Sequence, residues 1–161
     1  HWFNGGTLTK RFTPAGPDHA QVAASAGMAD YVDTLHAHHA DAHEGPGARA
    51  RAVHDLMRDH ETRLLGPLLD YLTGRGLRVL GPGTPEGRMP TVAVALAEPG
   101  RAVAERLASH GIMCDGGDFY AVRPLTAMGI DPAHGVLRMS FVHYTSRAEV
   151  DRLIAALDHV L

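Results

Sequence analysis

With 161 residues, 45% of them hydrophobic, the chain is long enough for one ordinary domain with a packed core and too apolar for disorder. A net charge of −3 with neutral histidines, and no basic stripe, argues against a nucleic-acid partner. No apolar run approaches a membrane span and no signal peptide opens the chain, while a lone cysteine, Cys114, excludes an internal disulfide framework and points to a reducing, cytoplasmic setting. The chain opens on His1 rather than Met, so it reads as a piece of something longer, and Lys10 is its only lysine.

In chain order, residues 1–17 read as an extended lead-in that ends in the turn Thr13-Pro-Ala-Gly-Pro17. Asp18 and Gln21 form a cap pair for an Ala-rich helix running to about Leu35. The histidine-rich run from His36 to His43 reads as a solvated, flexible stretch before the breaker Gly45-Pro-Gly47. A second helix carries Val53, Leu56, Met57, His60 and Leu64 at helical spacing, and Gly66-Pro67 is expected to kink or split it. Leu68, Leu69 and Leu72 continue the apolar face to Gly74.

The pattern then changes. Leu77–Leu80 and Thr91–Leu96 read as strands, with Val92, Val94 and Leu96 on one face. Pro99 starts a helix that carries Val103 and Leu107. Ile112–Cys114 reads as a strand that breaks at Asp115-Gly-Gly-Asp118, and Val122–Met128 as a short helix or turn. From Gly135 the residues alternate: Leu137, Met139 and Phe141 point one way, and Val136, Arg138, Ser140 and Val142 the other. Ser146 and Glu149 form a capping box for a last helix with the stripe Val150, Leu153, Ile154 and Leu157. The expected class is α+β: a small antiparallel or mixed sheet with helices packed on one face, preceded by a helical segment.

Arg138 is the principal candidate for chemistry. An arginine held on a strand between small and β-branched neighbours suits a bidentate grip on a carboxylate, and the alternative is a structural ion pair or a surface charge. The turn ending at Asp18 leaves bare N–H groups before a helix, which suits phosphate but also describes an ordinary helix entry. Cys114 reads as an inert thiol in a strand, with a nucleophile role the lesser alternative. His36, His39 and His43 share a helix face, yet no cysteine lies nearby, and no metal site is assigned. Phe119 and Tyr120 anchor the loop after Asp115, or line a pocket.

Three runs, Arg11–His19, Gly111–Tyr120 and Leu137–Leu153, occur in an order that resembles the C-terminal part of class V aminotransferases, most closely the cysteine desulfurase-like branch. The resemblance implies a fold-type I enzyme dependent on pyridoxal 5′-phosphate (PLP), a homodimer acting on an amino acid or related amine. It implies that residues 1–36 end the large PLP-binding domain, whose remainder this chain lacks, and that 37–161 form the small C-terminal domain. Arg138 then falls on the strand that holds the substrate carboxylate, and Ala15 and Gly16 fall at the turn that meets the cofactor phosphate. The chain departs from the family in three places. Lys10 is too close to that turn to be the Schiff-base lysine. Gly16 replaces the usual phosphate-binding threonine. The loop Asp115–Tyr120 carries no reactive cysteine. The alternative reading is a free-standing, non-catalytic binding or interaction module with the same fold.

Overall fold

The computed structural model describes residues 5–12, 18–40 and 45–161. They form two compact units, His1–Asp55 and Leu56–Leu161.

The first unit is helical: α1 (Leu8–Phe12), α2 (His19–Ala24), α3 (Ala26–His39) and the start of α4 (Pro46–Gly74). Asp18 caps α2 as its sequence position suggests, its carboxylate accepting from the N–H groups of Ala20 and Gln21 at 3.1 Å. The expected single helix to Leu35 is instead two, broken at Ser25, whose hydroxyl donates to the Val22 carbonyl at 2.7 Å. Competition of this kind for backbone groups is what disfavours serine inside helices. The histidine run is also corrected: His36, His38 and His39 are helical and His36 is buried. Arg49 pairs with Asp33 at 2.7 Å. The proline of Gly45-Pro-Gly47 begins α4 rather than breaking the chain, because the first helical position needs no N–H donor.

Of the kink or split expected at Gly66-Pro67, the split does not occur; α4 runs through it. A proline inside a helix costs about 3 kcal/mol. Leu64, Leu65, Leu68, Leu69 and Leu72, on both sides of it, are all fully or almost fully buried. Each such leucine contributes roughly 1.5–3 kcal/mol, so burial outweighs the lost hydrogen bond.

The second unit is α+β. Strands β1 (Arg78–Leu80), β2 (Thr91–Ala95), β3 (Asp115–Gly117) and β4 (Val136–Ser140) form one antiparallel sheet in the order β1-β2-β4-β3. Helices α5 (Gly100–Ser109) and α7 (Arg147–Val160), with the leucine face of α4, cover one side. Val92 and Val94 of β2 and Leu137 and Met139 of β4 point into that core, against Val103, Leu107, Val150 and Leu157. The period-two alternation read from the sequence is therefore correct for both strands. The other side is covered in part by a smaller cluster of Leu125 from α6 (Val122–Ala127), Ile130 and Val136, with Phe119 packed on it. The capping box at α7 is complete, Ser146 and Glu149 satisfying each other's backbone N–H.

The third strand lies three residues later than expected: Ile112–Cys114 are not a strand and Asp115–Gly117 are. The glycines read as a break are the strand because a helix crosses over it. A Cβ on Gly116 would stand 2.0 Å from the Gly100 carbonyl carbon at the start of α5, and one on Gly100 would stand 2.3 Å from the backbone of Val136. Helix and sheet meet backbone to backbone, which only glycine permits.

Candidate functional site

With the even-numbered positions of β2 and the odd-numbered positions of β4 turned to the core, Arg138 emerges on the opposite face of the sheet. It is exposed, where the carboxylate-gripping role led to the expectation of a buried guanidinium facing a cleft. Its register partners are Ala93 on β2 and Asp115 on β3. No ion pair joins Arg138 to any acid among the described residues. Instead its guanidinium carbon lies 3.9 Å from the centroid of the Phe119 ring. Asp115, on the strand edge, accepts from the Gly116 N–H at 2.8 Å and lies 4.0 Å from Arg101.

The loop after β3 brings Phe119 to this point. Phe119 and Tyr120 both have left-handed backbone angles, φ 50° and 59°. Such angles cost non-glycine residues about 1–3 kcal/mol each and cluster at functional sites. The Asp118 carboxylate accepts from the Tyr120 N–H at 3.2 Å, and the Asp118 carbonyl from the Ala121 N–H at 2.8 Å, which holds the turn. Tyr120 is fully exposed. The Arg138 site thus has two further members, Phe119, which the sequence reading names as a loop anchor or pocket residue, and Asp115, which it does not. Asp115 would have been found by placing the third strand correctly. The contact of Phe119 with Arg138 has no local signal, since nothing in its neighbours dictates the left-handed angle that puts it there.

Cys114 sits apart from this chemistry. It is half-buried and packs against the main core. Burial first, and the Asp115 charge second, push its thiol up, so it stays protonated and weakly nucleophilic at neutral pH. Lys10 is exposed on α1. Ala15, Gly16 and His43 lie outside the described residues. Among the described residues no group of three or more His, Cys, Asp or Glu could hold a metal ion, and no helix is long and apolar enough to cross a membrane.

A cavity of about 260 Å³ lies elsewhere, between Gly111–Met113, the end of β4 and the first turns of α7. Arg138 does not line it. Glu149, on its wall, is engaged by Ser146, and Arg152 also lines the cavity.

No protein-family model matches the chain. A 76-residue stretch, 47% of the chain, is 34% identical to an uncharacterised protein of Mycobacterium tuberculosis, MT3887, and spans 19% of that protein. Among solved structures, the chain is similar to a cysteine desulfurase of Thermococcus onnurineus (TM-score 0.60, 22% identity), over 71% of this chain and 29% of that one. It is also similar to a cysteine desulfurase of Escherichia coli (TM-score 0.52, 22% identity), over 72% of this chain and 30% of that one. The chain therefore spans under a third of the length of these relatives. At this identity the likeness is one of fold: the α+β unit has the fold of one portion of cysteine desulfurase chains.

Proposed function

We propose that the chain is the C-terminal portion of a PLP-dependent, cysteine desulfurase-like or aminotransferase-like enzyme acting on an amino acid or related amine, and that Arg138 grips the substrate carboxylate. One observation carries this reading. Arg138 stands exposed on the partly covered side of the sheet with no acid paired to it among the described residues, in a fold shared with cysteine desulfurases. A guanidinium anchored on a strand has lost much of its freedom before it meets a ligand, and its fork matches a carboxylate with two parallel hydrogen bonds. Fixing the carboxylate fixes which bond at Cα is presented to the reacting group.

The described residues do not themselves make a PLP cradle. The only lysine, Lys10, is exposed on a short helix, and Ala15 and Gly16, the proposed phosphate contacts, lie outside the described residues. In this reading the cofactor ring and its lysine belong to a large domain that residues 1–36 complete, while 37–161 form the small domain. The enzyme works as a homodimer in the cytoplasm. PLP, when bound there, supplies an electron sink for charge developing at Cα. The share of this chain is binding and orientation. With no cysteine in the Asp115–Tyr120 loop and Cys114 packed against the core, elimination, transamination or epimerisation fits better than persulfide transfer.

The test is a screen of amino substrates on the intact protein with PLP, following sulfide, alanine and keto acid release together. At least one product is expected, and Arg138→Lys should weaken transition-state binding by about 1–3 kcal/mol, the range of a lost charged hydrogen bond. Unchanged KM and kcat in that variant would refute the role of Arg138. No turnover of any amino substrate would favour the non-catalytic binding module instead.

A further inference from the structure

Arg138 and Asp115 are opposed in the β3–β4 register. Directly opposed residues of an antiparallel pair share a face with their Cβ atoms about 5 Å apart, so an arginine and an aspartate there are within reach of a bridge. This pair does not form one. The guanidinium lies over the Phe119 ring, and the Asp115 carboxylate turns to its own neighbour, the Gly116 N–H, and towards Arg101. A bridge to Asp115 would occupy two of the five guanidinium donors in the geometry a ligand carboxylate needs. An aromatic face attracts the cation without accepting its in-plane N–H groups in conventional hydrogen bonds.

We propose that Phe119 is a positioning residue: it holds the Arg138 guanidinium off Asp115 and keeps its donor edge open to a carboxylate ligand. This rests on the reading of Arg138 given above. The loop is built for the purpose at a cost. Two consecutive non-glycine residues, Phe119 and Tyr120, take left-handed angles with one residue between them and Gly117, and a glycine at 119 would relieve its strain while removing the ring. The ring itself is fixed from below by the Leu125, Ile130 and Val136 cluster.

The experiment is side-chain NMR of the arginine Nε–Hε groups in the intact protein, with sodium propionate as the probe. In the wild type, the Arg138 Hε resonance is expected upfield of the other arginines through the ring current of Phe119, and it moves on propionate addition. Phe119→Leu should lose the upfield displacement and bind propionate about two- to fivefold more weakly, the scale of an exposed cation–π contact or surface ion pair. Phe119→Tyr should keep both properties. Asp115→Asn added to Phe119→Leu should restore binding, because the competing carboxylate is gone, an effect that mere loop damage would not give. A wild-type Hε without ring-current displacement overturns the proposal whatever the variants do. So does wild-type binding in Phe119→Leu, or failure of Asp115→Asn to restore it. Arg138→Gln separates the two ideas. If it leaves propionate binding intact, the carboxylate reading falls and this proposal with it. If it abolishes binding while Phe119→Leu does not, the positioning role alone falls.

Discussion

Gly116→Ala tests the joint on which the site is built. The added Cβ would lie 2.0 Å from the Gly100 carbonyl carbon, 2.1 Å from the Arg101 nitrogen and 2.3 Å from the Gly100 oxygen. Ordinary contact needs roughly 3.5–4 Å, so α5 and β3 must part by about 1.5 Å. No side chain can swing aside, because every near atom is backbone. Nor can α5 shift freely, since Val103 and Leu107 are fully buried in the core. Overpacking typically costs about 1–3 kcal/mol, and a rigid backbone contact belongs at the top of that range. The reduced freedom of the unfolded chain returns roughly 0.4–1 kcal/mol. The expected net destabilisation is about 2 kcal/mol. Urea unfolding followed by circular dichroism measures it, with Gly66→Ala in α4 as the control. Gly66 has nothing within 4 Å of its missing Cβ, and alanine there should stabilise by about 0.5–1 kcal/mol. If Gly116→Ala unfolds within about 0.5 kcal/mol of wild type, the close approach of α5 to β3 is wrong.

Two further outcomes are expected. Ser146→Ala should cost about 1 kcal/mol at neutral pH, the usual worth of an N-cap. That cost should shrink in acid. The Ser146 backbone N–H first, and its hydroxyl second, hold the Glu149 carboxyl below its ordinary value, so its contribution is present above the unfolded pKa and lost as pH falls through the folded one. Thermal melts of both proteins at pH 7 and about pH 3 check this, and an undiminished difference in acid would contradict the bond from the Ser146 hydroxyl to the Glu149 carboxylate. Cys114 should react slowly with iodoacetamide at pH 7, and Cys114→Ala should leave turnover unchanged; fast alkylation with loss of activity would revive it as a nucleophile.

What could be read from the sequence divides along a physical line. The alternation of Val136–Ser140, the capping box of Ser146 and Glu149, and the cap at Asp18 are set by residues within a few positions of one another, and all three are present. Pro67 misleads because its local cost is real but smaller than the burial of leucines around it. Gly116 and Gly117 mislead for the opposite reason. Their propensity says break, and only the arrival of α5 makes bare backbone the requirement. Arg138 is conspicuous in the sequence, while its exposure and its contact with Phe119 depend on a loop whose angles no local rule supplies.

The glycine joint and the arginine site are two sides of one strand. Because Gly116 faces α5, its neighbours Asp115 and Gly117 face the other way, and Asp115 comes opposite Arg138. The packing that lets the helix lie flat on the sheet therefore delivers an acid beside the one group that must keep its donors free. An aromatic ring on a strained loop is one way for a sheet of this register to hold both, and it ties the freedom of Arg138 to the placement of α5. Gly116→Ala should then disturb the Arg138 Hε resonance as well as stability, although it touches neither Arg138 nor Phe119. A Gly116→Ala protein that is destabilised but retains the wild-type Hε position would show that the strand edge and the arginine are independent.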